Sequence, residues 1–131
     1  MEKSIEKLNS MFNELQKSNL ISFDEVKSMK NVMGVYIIYS HENEILYIGH
    51  TNKFHVRFGT DLKYESTHTL IRKLLKALVH KDIITAQQYF INKYKYRIKT
   101  CETKREAEAL EHLAIWILNP IYNNNYLPIV D

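Results

Sequence analysis

Residues 34–49 read GVYIIYSHENEILYIG, and this stretch decides the fold. Two short runs, at 34–40 and 45–49, are rich in β-branched and aromatic residues, and the polar sequence HENE separates them. Short apolar runs on either side of a polar turn are typical of paired strands. The stretch therefore predicts a β-hairpin that is buried on at least one face.

The glycines of this stretch stand close to tyrosines. The chain has only three glycines, and two of them, Gly34 and Gly49, lie in the tripeptides GVY and YIG. A glycine in a strand allows another part of the chain to approach its backbone closely. We expect both glycines to allow such an approach at strand ends that line one pocket, where Tyr36 and Tyr47 lie side by side.

Outside the hairpin, the hydrophobic pattern is mostly helical. The sequences SFDE and TKRE match the capping box that opens a helix, and Thr51 or Asn52 can cap a short helix after the hairpin. Helices are predicted over 2–18, 22–30, 52–58, 68–80, 85–92 and 103–118, and a third strand over 94–100. This order predicts an α+β fold, with a small antiparallel β-sheet of about three strands flanked by helices. Residues 1–33 are predicted to form an N-terminal helical extension, and residues 34–131 the main domain.

Composition excludes several classes of protein. With 131 residues, 45% of them hydrophobic, the chain predicts one domain with a modest core. It has no apolar run close to twenty residues, so no membrane span is expected. Cys101 is the only cysteine, which excludes an intrachain disulfide and argues against structural zinc. The polar N-terminus lacks the apolar centre of a secretory signal, and we expect a reducing, cytoplasmic location.

Positive charge is concentrated in the middle of the chain. Residues 53–105 carry thirteen Lys and Arg against four acidic residues, although the net charge of the chain is only +3. A basic region on a nearly neutral chain is typical of proteins that bind a polyanion such as nucleic acid. Charge alone leaves a simple solvated lysine-rich surface as the alternative.

An amphipathic stripe runs along the predicted N-terminal helix. It consists of Ile5, Leu8, Phe12 and Leu15. Such stripes usually pack on the core of their own domain. The alternative is pairing with a second copy of the chain, which would give a homodimer through the N-terminal helix.

Glu111 is unusual because its helical neighbours are apolar. Ala107, Ala114 and Ile115 surround it on the predicted last helix. Burial of an unpaired carboxylate is costly, so a cation, a metal ion or a hydrogen-bond donor should face it. The alternative is that Glu111 lies at the edge of the apolar stripe.

Five features in a fixed order resemble the GIY-YIG nuclease superfamily. They are GVY, YIG, Arg57 eight residues after Gly49, Glu111 in the sequence ALE, and Asn123 in PIYN. Tyr36 and Tyr47 are eleven positions apart, and Glu111 and Asn123 are twelve apart. The resemblance covers residues 34–125.

The resemblance implies a phosphodiester hydrolase that acts on DNA. It implies that Glu111 binds one divalent cation per active site, Mg²⁺ or Mn²⁺, and that Arg57 contacts a phosphate oxygen. Tyr36 is expected to accept or relay a proton from the attacking water, with its pKa lowered by Arg57 and the cation. Tyr47 is expected to orient water or phosphate, and Asn123 to bond active-site backbone or phosphate. The alternative is a catalytically silent nucleic-acid-binding module of the same fold.

Two residues depart from the pattern of the family. His50 stands after YIG where many members have Lys or Gln, and it is expected to contact phosphate, to share proton transfer, or to be an ordinary surface histidine. Asp61 stands where many members have His or Tyr, and it could assist metal binding, repel phosphate or point to solvent. His68 is a further histidine that could reach the site from the following loop.

Basic residues on two predicted elements are expected to hold the DNA backbone electrostatically. One group lies on the helix over 68–80 and the other on the third strand. The six residues are Arg72, Lys73, Lys76, Lys95, Arg97 and Lys99.

Overall fold

The structure is a computed structural model that describes residues 2–64, 68–77 and 79–123. Leu78 of the predicted helix over 68–80 and the residues after 123 lie outside this part. Within it, the helices are α1 (Glu2–Lys17), α2 (Phe23–Lys27), α3 (Phe54–Arg57), α4 (Thr69–Lys76), α5 (Ile83–Asn92) and α6 (Lys104–Leu118), with a 3-10 helix at Thr60–Lys63. The strands are β1 (Met33–Tyr39), β2 (Ile45–Thr51) and β3 (Lys95–Cys101). None of the described helices is long and apolar enough to cross a membrane.

The three strands form one antiparallel sheet in the order β2-β1-β3. The predicted hairpin and the α+β class are therefore confirmed. Tyr36 on the central strand lies opposite Gly49 on β2 and opposite Ile98 on β3. Because successive side chains of a strand point to opposite faces, Tyr36 and Ile98 share one face.

Each face of the sheet has its own hydrophobic core. On the face of Tyr36, aromatic side chains from β1, α3, α5 and β3 pack together, among them Phe54, Phe58, Phe90 and Tyr96. On the opposite face, the β1 side chains pack against α1 and α6. The sheet is thus covered on both sides, and α6 lies across the face opposite Tyr36.

Local sequence signals set most of the helix starts. Ser22 caps α2 and Thr103 caps α6, each by accepting a hydrogen bond from the backbone amide three residues later, as predicted. The prediction that Thr51 or Asn52 caps α3 is wrong. β2 continues through Thr51, which pairs with Gly34, so α3 begins after Lys53 with no side-chain cap.

The outer edges of the sheet are partly covered by irregular segments. On β2, the amide of Tyr122 donates a hydrogen bond to the carbonyl of Leu46 at 2.9 Å. On β3, Ile21 forms an isolated bridge with Tyr96. These contacts satisfy backbone groups that an open edge would leave unpaired.

The amphipathic stripe of α1 packs on its own chain. Phe12 and Leu15 are buried against the β1 and α6 side chains, whereas Ile5 remains 55% exposed. Most of the stripe therefore belongs to the core on this face of the sheet. A homodimer through α1 stays a prediction.

Leu15→Ala should lower the free energy of unfolding by about 2–5 kcal/mol, because it leaves a cavity at a fully buried position. Urea unfolding followed by circular dichroism measures this change. Ile5→Ala removes an exposed member of the same stripe and should cost no more than about 0.5 kcal/mol. Equal, small effects of the two changes would show that α1 is a detachable extension.

Candidate active site

The Tyr36 ring lies over Gly49 because Gly49 has no side chain. A Cβ atom at position 49 would lie 2.6 Å from Cζ of Tyr36, against its hydroxyl, and 3.1 Å from Cε2 of Tyr47. The two tyrosine rings are 6.4 Å apart between centroids. Gly49 therefore lets the phenol of Tyr36 extend across β2 towards the edge of the sheet, beside Tyr47.

Gly34 allows the backbone of a neighbouring strand to approach closely. A Cβ atom there would lie 2.7 Å from the carbonyl oxygen of Lys99, which belongs to the backbone of β3. Gly34 thus permits close pairing of β1 with β3. Both glycines therefore allow a close approach, as expected, but neither is among the residues that line the polar pocket containing His50 and Arg57.

Gly49→Ala should reduce any activity that depends on Tyr36 by about 10²-fold, because a misplacement of about 1 Å in a reacting group has effects of that size. The added methyl group would displace the phenol of Tyr36. The measurement is the single-turnover rate of DNA cleavage, the activity that the resemblance implies, together with the unfolding free energy. Gly34→Ala is the contrasting variant, in which we expect the larger loss to be in stability. An unchanged rate in Gly49→Ala would contradict the role given to this glycine.

Arg57, at the C-terminal end of α3, connects the tyrosines to the next helix. Its guanidinium hydrogen-bonds the phenol of Tyr36, and its Nη2 donates to Oγ1 of Thr69 at 3.4 Å. Its Nη1 lies 3.8 Å from Oδ2 of Asp61, four residues later in the 3-10 helix Thr60–Lys63. The Arg57 side chain is only 18% exposed. The guanidinium is therefore held in a fixed orientation beside the phenols.

Burial and charge act in opposite directions on the phenols. Burial raises the pKa of Tyr36 well above its usual range, and Arg57 opposes this increase without cancelling it. The pKa of Tyr47 is also raised by burial and lowered in part by Arg57. We expected Arg57 to lower the pKa of Tyr36, and it acts in that direction, but burial has the larger effect. Both phenols are protonated at neutral pH in this state.

Glu111 reaches the site from the opposite face of the sheet. Its Oε2 lies 2.7 Å from Nδ1 of His50, and the Glu111 side chain is 17% exposed. Burial has the largest effect on the pKa of Tyr36 and of Tyr47, and the negative charge of Glu111 adds to that increase. Glu111 thus stands at the flank of the apolar stripe, and the donor that faces it is His50.

Asn123 fixes the strand that carries Tyr47. Its Oδ1 accepts a hydrogen bond from the amide of Ile48, and its Nδ2 donates to the carbonyl of the same residue, both at 2.7 Å. These two bonds replace a missing neighbouring strand at this point of β2. Asn123 therefore contacts active-site backbone.

A polar pocket opens beside His50 and Arg57. Its volume is about 420 Å³, and Arg57, His50 and Asp61 line it. Lys53 and Lys104 also line it, and no sequence pattern distinguishes these two lysines from the other basic residues of the chain. The remaining lining residues are Met33, Thr51, Asn52 and Val56. The cationic lining favours an anionic group in the pocket.

Two of the predicted DNA-binding residues of α4, Arg72 and Lys73, lie near Tyr47. The ammonium of Lys73 lies 5.9 Å from the centre of the Tyr47 ring and donates a hydrogen bond to the carbonyl of Tyr122 at 2.6 Å. The positive charge of Arg72 acts on Tyr47, since it lowers the pKa of that phenol in part. Arg72 and Lys76 are exposed.

The predicted DNA-binding residues of β3 are not brought to the site. Register and alternation place Lys95, Arg97 and Lys99 on the face opposite Tyr36. Arg97 donates to the carbonyl of Ser18 at 3.0 Å, and Lys99 pairs with Glu14 at 2.5 Å. The region around α1 already engages both cations.

His68 does not line the pocket. It is fully buried against the rings of Phe58 and Phe90 and caps α4 by accepting a hydrogen bond from the amide of Ile71. Burial, with a smaller effect of Arg57, lowers the pKa of His68 to about 3. The neighbouring Thr69 is the residue that contacts Arg57.

The donor set at the pocket suits a divalent cation with few protein ligands. In the described part of the chain, no group of three or more His, Cys, Asp or Glu residues could hold a metal ion. Glu111 offers a carboxylate, and His50 an imidazole, beside the pocket. A cation such as Mg²⁺ commonly binds one or two carboxylates and takes its other ligands from water and substrate phosphate. The residues present therefore fit such an ion.

Comparison with known proteins identifies the family. The family model described as the GIY-YIG catalytic domain matches residues 32–123, which include all three strands, α6 and the candidate residues Tyr36, Tyr47, His50, Arg57, Glu111 and Asn123. No curated protein is similar enough in sequence to count as a relative. Nucleases with this domain typically use a divalent metal and act on nucleic acid. The chain belongs to the GIY-YIG nuclease superfamily.

Proposed function

We propose that the protein is a metal-dependent endonuclease that hydrolyses DNA phosphodiester bonds directly, without a covalent enzyme intermediate. The observation that supports the proposal is that Arg57 interacts with the phenol of Tyr36, which lies beside Tyr47, and that the charge of Glu111 acts on both phenols. Two phenols, a guanidinium and a carboxylate supply what hydrolysis of a phosphodiester needs. Those needs are a positioned water, neutralised phosphate oxygens and a stabilised leaving group.

Arg57 binds the scissile phosphate in this proposal. Its guanidinium lines the pocket and is oriented by Tyr36, Thr69 and Asp61 before any substrate arrives. A planar guanidinium can contact two phosphate oxygens at once. Because the group is already ordered, little reorganisation is needed when negative charge develops on the phosphate.

Tyr36 and Tyr47 position the attacking water. In the protonated state that burial favours, the Tyr36 hydroxyl can both accept and donate a hydrogen bond. The interaction with Arg57 lowers the pKa of Tyr36, which is the direction needed for a tyrosine that takes or relays a proton from water. Tyr47 stands beside it and limits where the water can lie.

Glu111 holds the divalent cation, Mg²⁺ or Mn²⁺, in this proposal. When bound, the ion stabilises negative charge on the phosphate and on the leaving 3′ oxygen. The carboxylate is kept at the pocket by α6 and by His50. Asn123 keeps Ile48 and Tyr47 in register with these groups.

In this proposal, the DNA backbone contacts cationic residues of α4 and of the pocket lining. These are Arg72, Lys73 and Lys76 on α4, with Lys53 and Lys104 in the pocket lining. Phosphate contacts of this kind give affinity without sequence preference and weaken as salt concentration rises. The three cations of β3 lie on the other face of the sheet and contribute less.

Cleavage of supercoiled plasmid with and without Mg²⁺ tests the proposal. Nicked product should form with Mg²⁺ and should not form with EDTA, and hydrolysis in ¹⁸O water should place one label on the new 5′ phosphate. A panel of labelled single-stranded, duplex and branched DNA then shows the preferred substrate. Absence of metal-dependent cleavage on the whole panel would contradict an endonuclease.

A silent nucleic-acid-binding module is the second candidate function. It is favoured by one observation, the carboxylate of Asp61 at 3.8 Å from the guanidinium that should bind phosphate. A carboxylate in this place competes with the phosphate for Arg57. Tight, salt-dependent DNA binding without cleavage in the same panel would support this candidate.

A further inference from the structure

His50 and Glu111 approach each other from different elements. His50 is near the end of β2, and Glu111 is in the middle of α6, 61 residues later. Nδ1 of His50 lies 2.7 Å from Oε2 of Glu111, and the two side chains are 28% and 17% exposed. Among the described residues, His50 makes the only hydrogen bond to the Glu111 carboxylate. Both side chains are thus half-buried, paired with each other and beside the pocket that His50 lines.

The separation of the two atoms is close to that of two ligands of one ion. Protein nitrogen and oxygen ligands lie about 2.1 Å from a small divalent cation, so two neighbouring ligands at a right angle are about 3.0 Å apart. The observed 2.7 Å differs from this by a few tenths of an ångström. An ion can therefore take the place of the shared proton with only a small rotation of each side chain.

From this geometry we propose that His50 is a second protein ligand of the divalent cation, and that the site consequently prefers Mn²⁺ and similar transition ions to Mg²⁺. The inference rests on the proposed function only in taking Glu111 as a metal ligand. Mg²⁺ binds oxygen ligands almost exclusively, whereas first-row transition ions accept imidazole nitrogen readily. A lysine or glutamine after YIG offers no such nitrogen ligand, so the preference follows from the histidine at this position of the chain.

The competing arrangement is an outer-shell hydrogen bond. In that case His50 donates a hydrogen bond to Glu111 and orients the carboxylate, while the ion contacts only the carboxylate. Loss of His50 would then weaken the binding of every ion by a similar factor. A direct bond and an outer-shell bond thus differ in ion selectivity as well as in spectroscopy.

Metal binding to the full chain separates the two arrangements. Mn²⁺ affinity is measured from the electron paramagnetic resonance signal of free Mn²⁺, and Mg²⁺ affinity by competition. His50→Gln should lower Mn²⁺ affinity by about tenfold or more and Mg²⁺ affinity by less than about threefold. His112→Gln removes an exposed histidine next to Glu111 and is the matched control, which should change neither affinity.

Pulsed electron paramagnetic resonance of the Mn²⁺-loaded protein gives a readout that does not depend on activity or on any variant. Coupling to a directly bound imidazole nitrogen should be present in the wild type and in His112→Gln and absent in His50→Gln. Labelling with ¹⁵N-histidine should change the coupling pattern of the wild type. Absence of nitrogen coupling in the wild type, or an equal loss of affinity for both ions in His50→Gln, would overturn the inference.

These outcomes are separate from those of the proposed function. DNA cleavage without nitrogen coupling leaves the endonuclease intact and removes His50 from the metal shell. Nitrogen coupling without cleavage of any DNA leaves the metal site intact and removes the endonuclease.

Discussion

Glu111→Gln should reduce metal-dependent DNA cleavage by at least about 10³-fold, because a cation that stabilises transition-state charge contributes several kcal/mol. The glutamine oxygen can still accept the hydrogen bond of His50, so the fold and the position of α6 should be retained. Only the negative charge that holds the cation is lost. Single-turnover cleavage of a labelled substrate measures the rate, and fluorescence anisotropy of the same substrate measures binding, which we expect to change little.

Glu102→Gln is the matched control for this change. It removes the same charge from an exposed residue just before α6, and it should change the rate by less than about twofold, as is usual for surface substitutions away from a site. Added Mn²⁺ or Mg²⁺ at high concentration should restore part of the rate in Glu111→Gln if weakened ion binding is the cause. If Glu111→Gln cleaves DNA at the wild-type rate, the carboxylate of Glu111 has no part in the mechanism.

Much of the fold follows from short-range sequence patterns. The hairpin, the third strand and the long helix α6 each carry a hydrophobic period or a capping sequence within a few residues. Such signals are local, and tertiary contacts reinforce them here. The start of α3 is the exception, because pairing of Thr51 with Gly34 extends β2 through the predicted cap.

The basic face of β3 shows which part of the fold could not be predicted from the sequence. Strict alternation correctly separates Tyr96 from its basic neighbours, but it does not say what covers the basic side. The region around α1 does so, with Glu14 beside Lys99 and the carbonyl of Ser18 beside Arg97. Which distant helix packs on a face depends on tertiary contacts that no local pattern records.

The site shows the same division. The order of motifs predicts Tyr36, Arg57 and Glu111 as site residues, and the structure places Arg57 beside Tyr36 and Glu111 beside His50. The contact of Arg57 with Thr69 was missed, because the two residues lie twelve apart on different helices and Thr69 has no distinguishing neighbour. The pairing of Asp61 with Arg57 is easier to predict from the sequence, because residues four apart often approach each other where the chain is helical or nearly so.

Arg57→Lys should reduce the cleavage rate by about 10²–10³-fold, although it keeps the positive charge. The guanidinium of Arg57 interacts with the Tyr36 phenol, and it reaches Thr69 through Nη2 and Asp61 through Nη1. A lysine ammonium is a single point on a flexible stem and cannot make these contacts together or face two phosphate oxygens. The loss should appear in the rate of the chemical step and less in DNA affinity, since the total charge of the protein is unchanged.

Arg72→Lys makes the same exchange on the exposed surface of α4 and should stay within about twofold of the wild-type rate, because charge is what a backbone contact requires. The difference between the two variants separates the geometry of the guanidinium from its charge. Unfolding free energies of both variants show whether the loss in Arg57→Lys comes from the site or from the fold, since Arg57 is largely buried and its removal could disturb packing. Equal cleavage rates of Arg57→Lys and Arg72→Lys at equal stability would contradict the two-oxygen contact between the guanidinium and the phosphate. Any phosphate contact of residue 57 would then require only a positive charge.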